Sequence, residues 1–201
     1  MLFRSDAVDG WTLQVHAPGQ AFHLPDLSAV PRDRPFRIAL PTYGVGLVKD
    51  REGVTVGVVG EGRSFSGDEL WPDPALVAET VRDLPQDPAF LGPIWFRLPV
   101  AGDRWTWSRE TWDAVRRGQA VPPAFAVRVD GHDLLLANTG GDGLAPIVEL
   151  HGRIDAWDTV ADWSGEVTAD GLRLDPPARR IPGGGTMPIG WARGAFVAEV
   201  E

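Results

Sequence analysis

Apolar and polar residues alternate strictly over three segments in the first half of the chain, and this alternation predicts β-strands. The predicted strands are Trp11–His16, Phe36–Pro41 and Pro93–Leu98. In each of them one face is apolar, whereas the other face carries polar or aromatic side chains. A β-hairpin is predicted between the second and third strands, with arms at Val45–Lys49 and Val54–Val59.

Two helices are predicted in the same half. The first covers Pro74–Leu84 and starts behind Asp73, and the second covers Arg109–Arg117, with Ser108 as its N-cap and Gly118 at its end. Strands that alternate with such connections favour a parallel α/β arrangement. The connection between the first two strands is short and rich in proline, so any crossover helix there is expected to be stunted.

From Gly118 onward the pattern changes to short strands joined by glycine-rich turns. Asp130-Gly131 and Asp170-Gly171 each separate two alternating runs, which is a strong hairpin signal. Further strands are predicted at Ile147–His151, Met187–Trp191 and Phe196–Val200. We therefore predict an α+β chain in two parts, with a partial (β/α)-barrel-like parallel region over residues 1–121 and an antiparallel β-sandwich over residues 122–201.

Composition narrows the class of protein. The 201 residues include 24 Gly, 18 Pro and no Cys, which excludes a long-helix bundle, a disulfide scaffold and cysteine-based sites. A net charge of -9 argues against a nucleic-acid partner or an anionic membrane surface. The first ten residues carry three charges and resemble no signal peptide, so a cytoplasmic location is expected for the chain as written, and export of longer relatives stays open.

The polar faces of the predicted parallel strands supply the first candidate site. If helices cover the apolar side, the polar and aromatic residues lie together on the other face, with Tyr43 just beyond the second strand. These residues are Gln14, His16, Arg37, Trp95 and Arg97. In (β/α) barrels the ligand site lies at this end of the strands. The alternative is that the polar face simply meets solvent, as in an ordinary one-sided sheet.

The segment after the third strand supplies further candidates. Asp103, Arg104 and Trp105 could form a cleft wall with a carboxylate; alternatively, Asp103 and Arg104 form a surface ion pair. Trp107 and Trp112 are predicted to pack in the core. Trp112 and Val115 are three residues apart on the second predicted helix, which is the spacing of residues on one buried face.

Familiar catalytic and cofactor motifs are missing from the sequence. There is no P-loop, no dinucleotide fingerprint, no zinc spacing and no nucleophile elbow, so no cofactor and no metal are predicted. Asp68 and Glu69 are expected to be solvated in a loop. The glycine-rich stretch at 138–143 lacks the ligands of a calcium loop and is predicted to be a turn.

Several blocks together resemble bacterial domain-of-unknown-function family 3142. They are Leu13–His16, Pro35–Gly44, Trp95–Pro99, Gly102–Arg104, Trp107-Ser108 and Gly190-Trp191. The resemblance implies a glycoside-hydrolase-like (β/α) barrel followed by a β-rich C-terminal region. It also implies a late-strand wall made of His16, Tyr43, Trp95 and Arg97.

The resemblance covers only the C-terminal part of the family pattern, from about the sixth barrel strand onward. The aspartate-rich Asp-x-Asp segment of the family has no counterpart here, so an N-terminally truncated product is expected. A whole barrel typically needs about 250 residues. A barrel cut in this way would leave strand edges unpaired, which predicts self-association.

The sequence predicts two alternative functions from different classes. In the first, the chain contributes a carbohydrate-binding wall, comprising Gln14, His16, Tyr43, Trp95, Arg97, Asp103, Arg104 and Trp105, to a glycoside-hydrolase-like protein. In the second, the β-sandwich is a non-catalytic binding or assembly module. Catalysis by this chain alone is not expected, because no pair of acid and base carboxylates can be nominated.

Overall fold

Strands make up most of the regular structure in the computed structural model, which describes residues 2–3, 10–14, 34–60, 68–100, 102–160 and 162–201. In chain order the elements are β1 (Leu2–Phe3), β2 (Trp11–Gln14), β3 (Phe36–Pro41), β4 (Val45–Lys49), β5 (Thr55–Val59), β6 (Glu69–Leu70), α1 (Pro74–Arg82), β7 (Phe90–Phe96), α2 (Arg109–Val115), β8 (Phe125–Asp130), β9 (Asp133–Asn138), β10 (Gly143–Leu144), β11 (Val148–Thr159), β12 (Ser164–Val167), β13 (Gly171–Asp175), β14 (Arg180–Ile181) and β15 (Thr186–Val200). None of the described helices is long and apolar enough to cross a membrane.

The chain divides into two units, each assembled from two stretches of sequence. The first unit comprises Met1–Val45 and Leu70–Ala120, and the second comprises Gly46–Glu69 and Val121–Glu201.

The first unit contains a four-stranded sheet in the order β1-β2-β3-β7. β2, β3 and β7 run parallel and lie side by side, as the strand spacing predicted, while β1 pairs with β2 in the antiparallel sense. One face of the sheet packs against both helices. The fully or almost fully buried residues of this core are Phe36, Ile38, Leu40, Val77, Ala78, Trp107 and Val115.

Both helices begin where the sequence predicted. The Asp73 carboxylate accepts a hydrogen bond from the Ala75 backbone N–H at 2.8 Å, and the Ser108 hydroxyl accepts one from the Thr111 N–H at 3.2 Å. Each helix ends two residues earlier than predicted. Beyond α2 the chain turns at Gly118, whose φ of 71° lies in the region that favours glycine.

The second unit is built on a six-stranded antiparallel sheet in the order β12-β13-β11-β15-β9-β8. The two predicted Asp-Gly hairpins are confirmed as the β8–β9 and β12–β13 pairs. The hairpin predicted in the first half is also confirmed, as the β4–β5 pair. The buried core of the second unit includes Leu134, Leu136, Val148, Leu150, Trp163, Leu172, Leu174, Ile181 and Ile189.

The prediction of two separate strands near the C-terminus is wrong, because Thr186–Val200 forms one strand, β15. The predicted break covered residues 192–195. In the structure β15 pairs with β11 from Gly190 to Val200, and a register shift between Ile154 and Ala156 of β11 lies opposite Gly194 and Arg193. A β-bulge accommodates an extra residue without ending the strand.

Candidate binding site

A cavity of about 210 Å³ opens at the carboxyl ends of the three parallel strands in the first unit. Gln14, Pro41 and Phe96, which are the last residues of β2, β3 and β7, all line it. The remaining lining residues are Thr12, Ala39, Leu40, Tyr43 and Ile94. The lining is mainly apolar and includes a few polar groups, which is the usual composition of a small-molecule site.

Tyr43 supplies a phenol to this cavity. Its ring meets the ring of Phe96 edge to face, with the centroids 5.4 Å apart. The backbone of Tyr43 forms a β-bridge with Thr106, which holds the residue in place. Burial raises the pKa of the phenol above its ordinary value of 10.0, and the positive charge of Arg97 opposes that shift. The phenol therefore stays protonated at neutral pH and can donate a hydrogen bond.

Arg97 and Asp103 form an ion pair next to Tyr43. One carboxylate oxygen of Asp103 accepts a hydrogen bond from the Arg97 guanidinium. The other accepts one from the Trp105 backbone N–H at 2.9 Å. The same loop binds the segment after β3, because Gly44 N–H donates to the Trp105 carbonyl at 2.9 Å.

The structure brings together three of the predicted site residues. Gln14 and Tyr43 both line the cavity, and Arg97 is close enough to Tyr43 to influence its pKa. Arg37 of β3, which was predicted on the same face as Gln14, is exposed. Its guanidinium donates a hydrogen bond to the Leu91 backbone carbonyl at 2.7 Å. His16 lies outside the described residues.

Trp95 does not share a face with Gln14, so that part of the prediction is wrong. It packs against the buried core of the first unit and meets Trp112 edge to face at 6.2 Å. The cause is a bulge in β7: Phe36 pairs with Phe90 but Ile38 pairs with Pro93, so β7 carries one extra residue. Because side chains alternate along a strand, one extra residue exchanges the two faces beyond it.

Trp105 is also not a cleft wall, because it is only 2% exposed. Its ring stacks on Trp71 with an interplanar angle of 13° and the centroids 6.4 Å apart. Arg104 lies over Trp105, 4.8 Å from the ring centroid, and Asp103 forms an ion pair with Arg97. Trp107 is buried, as predicted.

Sequence reasoning missed six of the eight described lining residues. The most informative are Ile94 and Phe96, which the alternation assigned to the core face. The signal that could have found them is Gly92, a glycine inside an alternating run, which often marks a bulge. Its φ of 97° confirms the unusual backbone. The other four are Thr12, Ala39, Leu40 and Pro41.

The expectation that Glu69 is solvated is wrong. Glu69 is buried in the second unit, where its carboxylate accepts a hydrogen bond from the Arg180 backbone N–H at 3.2 Å. The Arg180 side chain in turn pairs with the buried Asp142 at 2.6 Å. Asp68 forms an ion pair with Lys49. Among the described residues no group of three or more His, Asp or Glu side chains is placed to hold a metal ion.

Comparison with known proteins assigns no family. No family model and no curated protein matches this chain. Among solved structures, chitinase ChiA74 from Bacillus thuringiensis aligns at 11% identity and a TM-score of 0.25, over 86% of this chain and 54% of that one. The chain thus spans about half the length of that chitinase. A superposition this loose supports no conclusion about fold or activity.

Proposed function

We propose that the first unit binds a carbohydrate in the cavity at the carboxyl ends of β2, β3 and β7. The observation that carries this proposal is the composition of the cavity, in which an exposed aromatic ring adjoins a small set of polar groups. A sugar ring has an apolar face of C–H groups and a rim of hydroxyls, so it needs both kinds of surface.

Phe96 is the proposed stacking platform. Its side chain is 56% exposed, and its ring orientation is held by the edge-to-face contact with Tyr43. Ile94 extends the apolar surface on the same face of β7. Stacking of a sugar on Phe96 would cover this surface, which is otherwise exposed to water.

Gln14, Thr12 and Tyr43 are the proposed hydrogen-bonding partners of the sugar hydroxyls. An amide both donates and accepts, and a neutral phenol does the same, so each can match a hydroxyl in either direction. Specificity in such a cavity comes from a few polar groups placed around an apolar lining.

The proposed activity is binding rather than hydrolysis. Glycoside hydrolysis needs two carboxylates flanking the scissile bond. The described lining of the cavity contains no carboxylate.

We further propose that the three parallel strands form part of a (β/α)-barrel wall, and that the six-stranded sheet belongs to a β-sandwich, in line with the resemblance to family 3142.

Glycan-array screening of the full chain, followed by calorimetric titration of the glycans that bind, tests the proposal. Phe96→Ala is expected to weaken binding about tenfold through loss of the stacked ring. Gln14→Leu is expected to weaken it as well, whereas Gln119→Leu, a matched change at an exposed glutamine outside the cavity, should leave affinity unchanged.

Two results would contradict the proposal. One is that the full chain binds no glycan. The other is that Phe96→Ala and Gln14→Leu bind as tightly as the wild-type protein, which would move the site to the six-stranded unit and favour the assembly-module alternative.

A further inference from the structure

Arg37 of β3 contacts β7 at its bulge, and we propose that this contact decides which aromatic ring lines the cavity. In this role Arg37 is a positioning residue, which holds β7 in the register that presents Phe96 and keeps Trp95 against the core. The role does not depend on which ligand enters the cavity, so it goes beyond the proposed carbohydrate-binding function.

Two backbone hydrogen bonds show that β7 carries an extra residue. Phe36 N–H donates to the Ala89 carbonyl at 2.8 Å, and Thr42 N–H donates to the Phe96 carbonyl at 2.9 Å. Between these two bonds the chain advances six residues on the β3 side and seven on the β7 side. The register shift between Phe36 and Ile38 places the extra residue near the start of β7.

The Arg37 side chain meets β7 at this shift. Its guanidinium donates a hydrogen bond to the Leu91 backbone carbonyl at 2.7 Å. In an unbroken parallel ladder Ile38 would pair with Gly92, and the Ile38 N–H would donate to that carbonyl. Because Ile38 pairs with Pro93 instead, the guanidinium stands where a backbone donor would otherwise be.

Gly92 supplies the backbone conformation of the bulge. Its φ of 97° lies in the region that favours glycine. A Cβ atom at this position would meet no other atom within 4 Å, so the glycine is needed for its conformation and not for space. Gly92 thus permits the bulge, whereas the hydrogen bond from Arg37 favours the bulged register over the regular one.

The register determines the aromatic ring beyond the bulge. Trp95 now packs against the core and meets Trp112 edge to face at 6.2 Å, while Phe96 pairs with Pro41 and lines the cavity. In the regular register Trp95 would pair with Pro41, and its indole would take the place of the phenyl ring. An indole is larger and carries an N–H donor, so the exchange would change both the space and the polar groups offered to a ligand.

Phe90 lies before the bulge and provides an internal reference. It packs against the core, and its ring centroid is 5.4 Å from that of the fully buried Phe36. A change of register beyond the bulge would bring Trp95 out of the core and leave Phe90 in place. Unfolding of the whole sheet would release both residues together.

Thiol labelling of single-cysteine variants separates these two events, because the chain has no cysteine of its own. Arg37→Met removes the hydrogen-bond donor and keeps a long side chain. With this change, labelling of Trp95→Cys should become about tenfold faster, as expected from the loss of one exposed hydrogen bond with a charged donor. Labelling of Phe90→Cys should keep its rate.

Two further variants serve as controls. The bond to Leu91 uses a single guanidinium nitrogen, so Arg37→Lys retains a suitable charged donor and should restore slow labelling at position 95. Arg109→Met removes another exposed arginine of the first unit and should leave the labelling rates at both positions as they are with Arg37 and Arg109 present.

Amide hydrogen exchange measured by NMR repeats the test with Trp95 in place. A change of register must break the bond from Thr42 N–H to the Phe96 carbonyl, but it leaves the bond from Phe36 N–H to Ala89 intact. In Arg37→Met the Thr42 amide should exchange about tenfold faster than in the wild-type protein, and the Phe36 amide should exchange at the wild-type rate. This measurement decides the question where Trp95→Cys does not fold.

Two results would overturn the role of Arg37. One is that Arg37→Met leaves the rates beyond the bulge unchanged. The other is an equal acceleration before and beyond the bulge, because Arg37 would then stabilise the whole sheet and not one register. Neither measurement uses a ligand, so this role and the proposed binding function can fail separately.

Discussion

At the scale of single residues, a buried arginine and a buried aspartate of the second unit form an ion pair. Arg180 and Asp142 form an ion pair at 2.6 Å with almost no exposure of either side chain. The second oxygen of Asp142 accepts a hydrogen bond from the Gly183 N–H at 2.8 Å. Removing one member of such a pair is costly, because it leaves the other charge buried without its counterion.

Asp142→Ala is therefore expected to lower the free energy of unfolding by about 3–5 kcal/mol. Chemical denaturation followed by circular dichroism measures this change. Asp155→Ala, which removes an exposed partner of Arg153, should leave the unfolding midpoint nearly unchanged. Equal losses in the two variants would show that the buried pair has no special role in stability.

Tyr43 links protonation to stability in the first unit. Its pKa in the folded protein is raised above 10.0, the ordinary value expected in the unfolded chain. The folded state then binds the proton more tightly. The contribution of this group to stability is full below pH 10.0 and is lost as the pH rises through the pKa of the folded state.

At the scale of elements, β7 decides which side chains reach the cavity. Before the bulge Phe90 packs against the core and Leu91 is exposed. After it the order is reversed, so that Trp95 packs against the core and Phe96 reaches the cavity. A glycine in the left-handed region at position 92 allows this change at little conformational cost.

Thiol labelling tests the exchange of faces, because the wild-type chain has no cysteine. In the folded protein, single cysteines replacing Leu91 and Phe96 should react quickly, while those replacing Phe90 and Trp95 should react slowly. Labelling of each variant in denaturant is the control and should be uniformly fast. Rapid labelling at position 95 with protection at position 96 would mean that the strand alternates without a bulge.

At the scale of the whole molecule, the chain passes between its two units three times. The segment Gly46–Glu69 joins the second unit, in part because Glu69 bonds the backbone of β14. An isolated 122–201 fragment would lack that segment. In the described residues β5 lies at an edge of its sheet, and Val56 is 64% exposed.

We propose that such strand edges mediate self-association of the chain. An exposed edge strand with apolar side chains offers backbone and side-chain contacts to a second copy. Val56→Lys should reduce the concentration-dependent mass seen by sedimentation, while Thr55→Lys, which replaces a neighbouring exposed residue that is not apolar, should have a smaller effect. A wild-type protein that stays monomeric at micromolar concentration would contradict this proposal.

The sequence by itself determined the local elements and two members of the site. Alternation, helix caps and Asp-Gly turns predicted most strands and both helices, because these signals depend on neighbouring residues. Gln14 and Tyr43 were found for the same reason, since β2 and β3 alternate regularly. The tertiary structure decided the face of Trp95, the burial of Trp105 and the partner of Glu69. The burial of Trp105 and the Glu69–Arg180 hydrogen bond depend on residues far apart in the chain, which a local pattern does not encode. The face of Trp95 depends on a bulge, which alternation alone does not show although Gly92 marks its place.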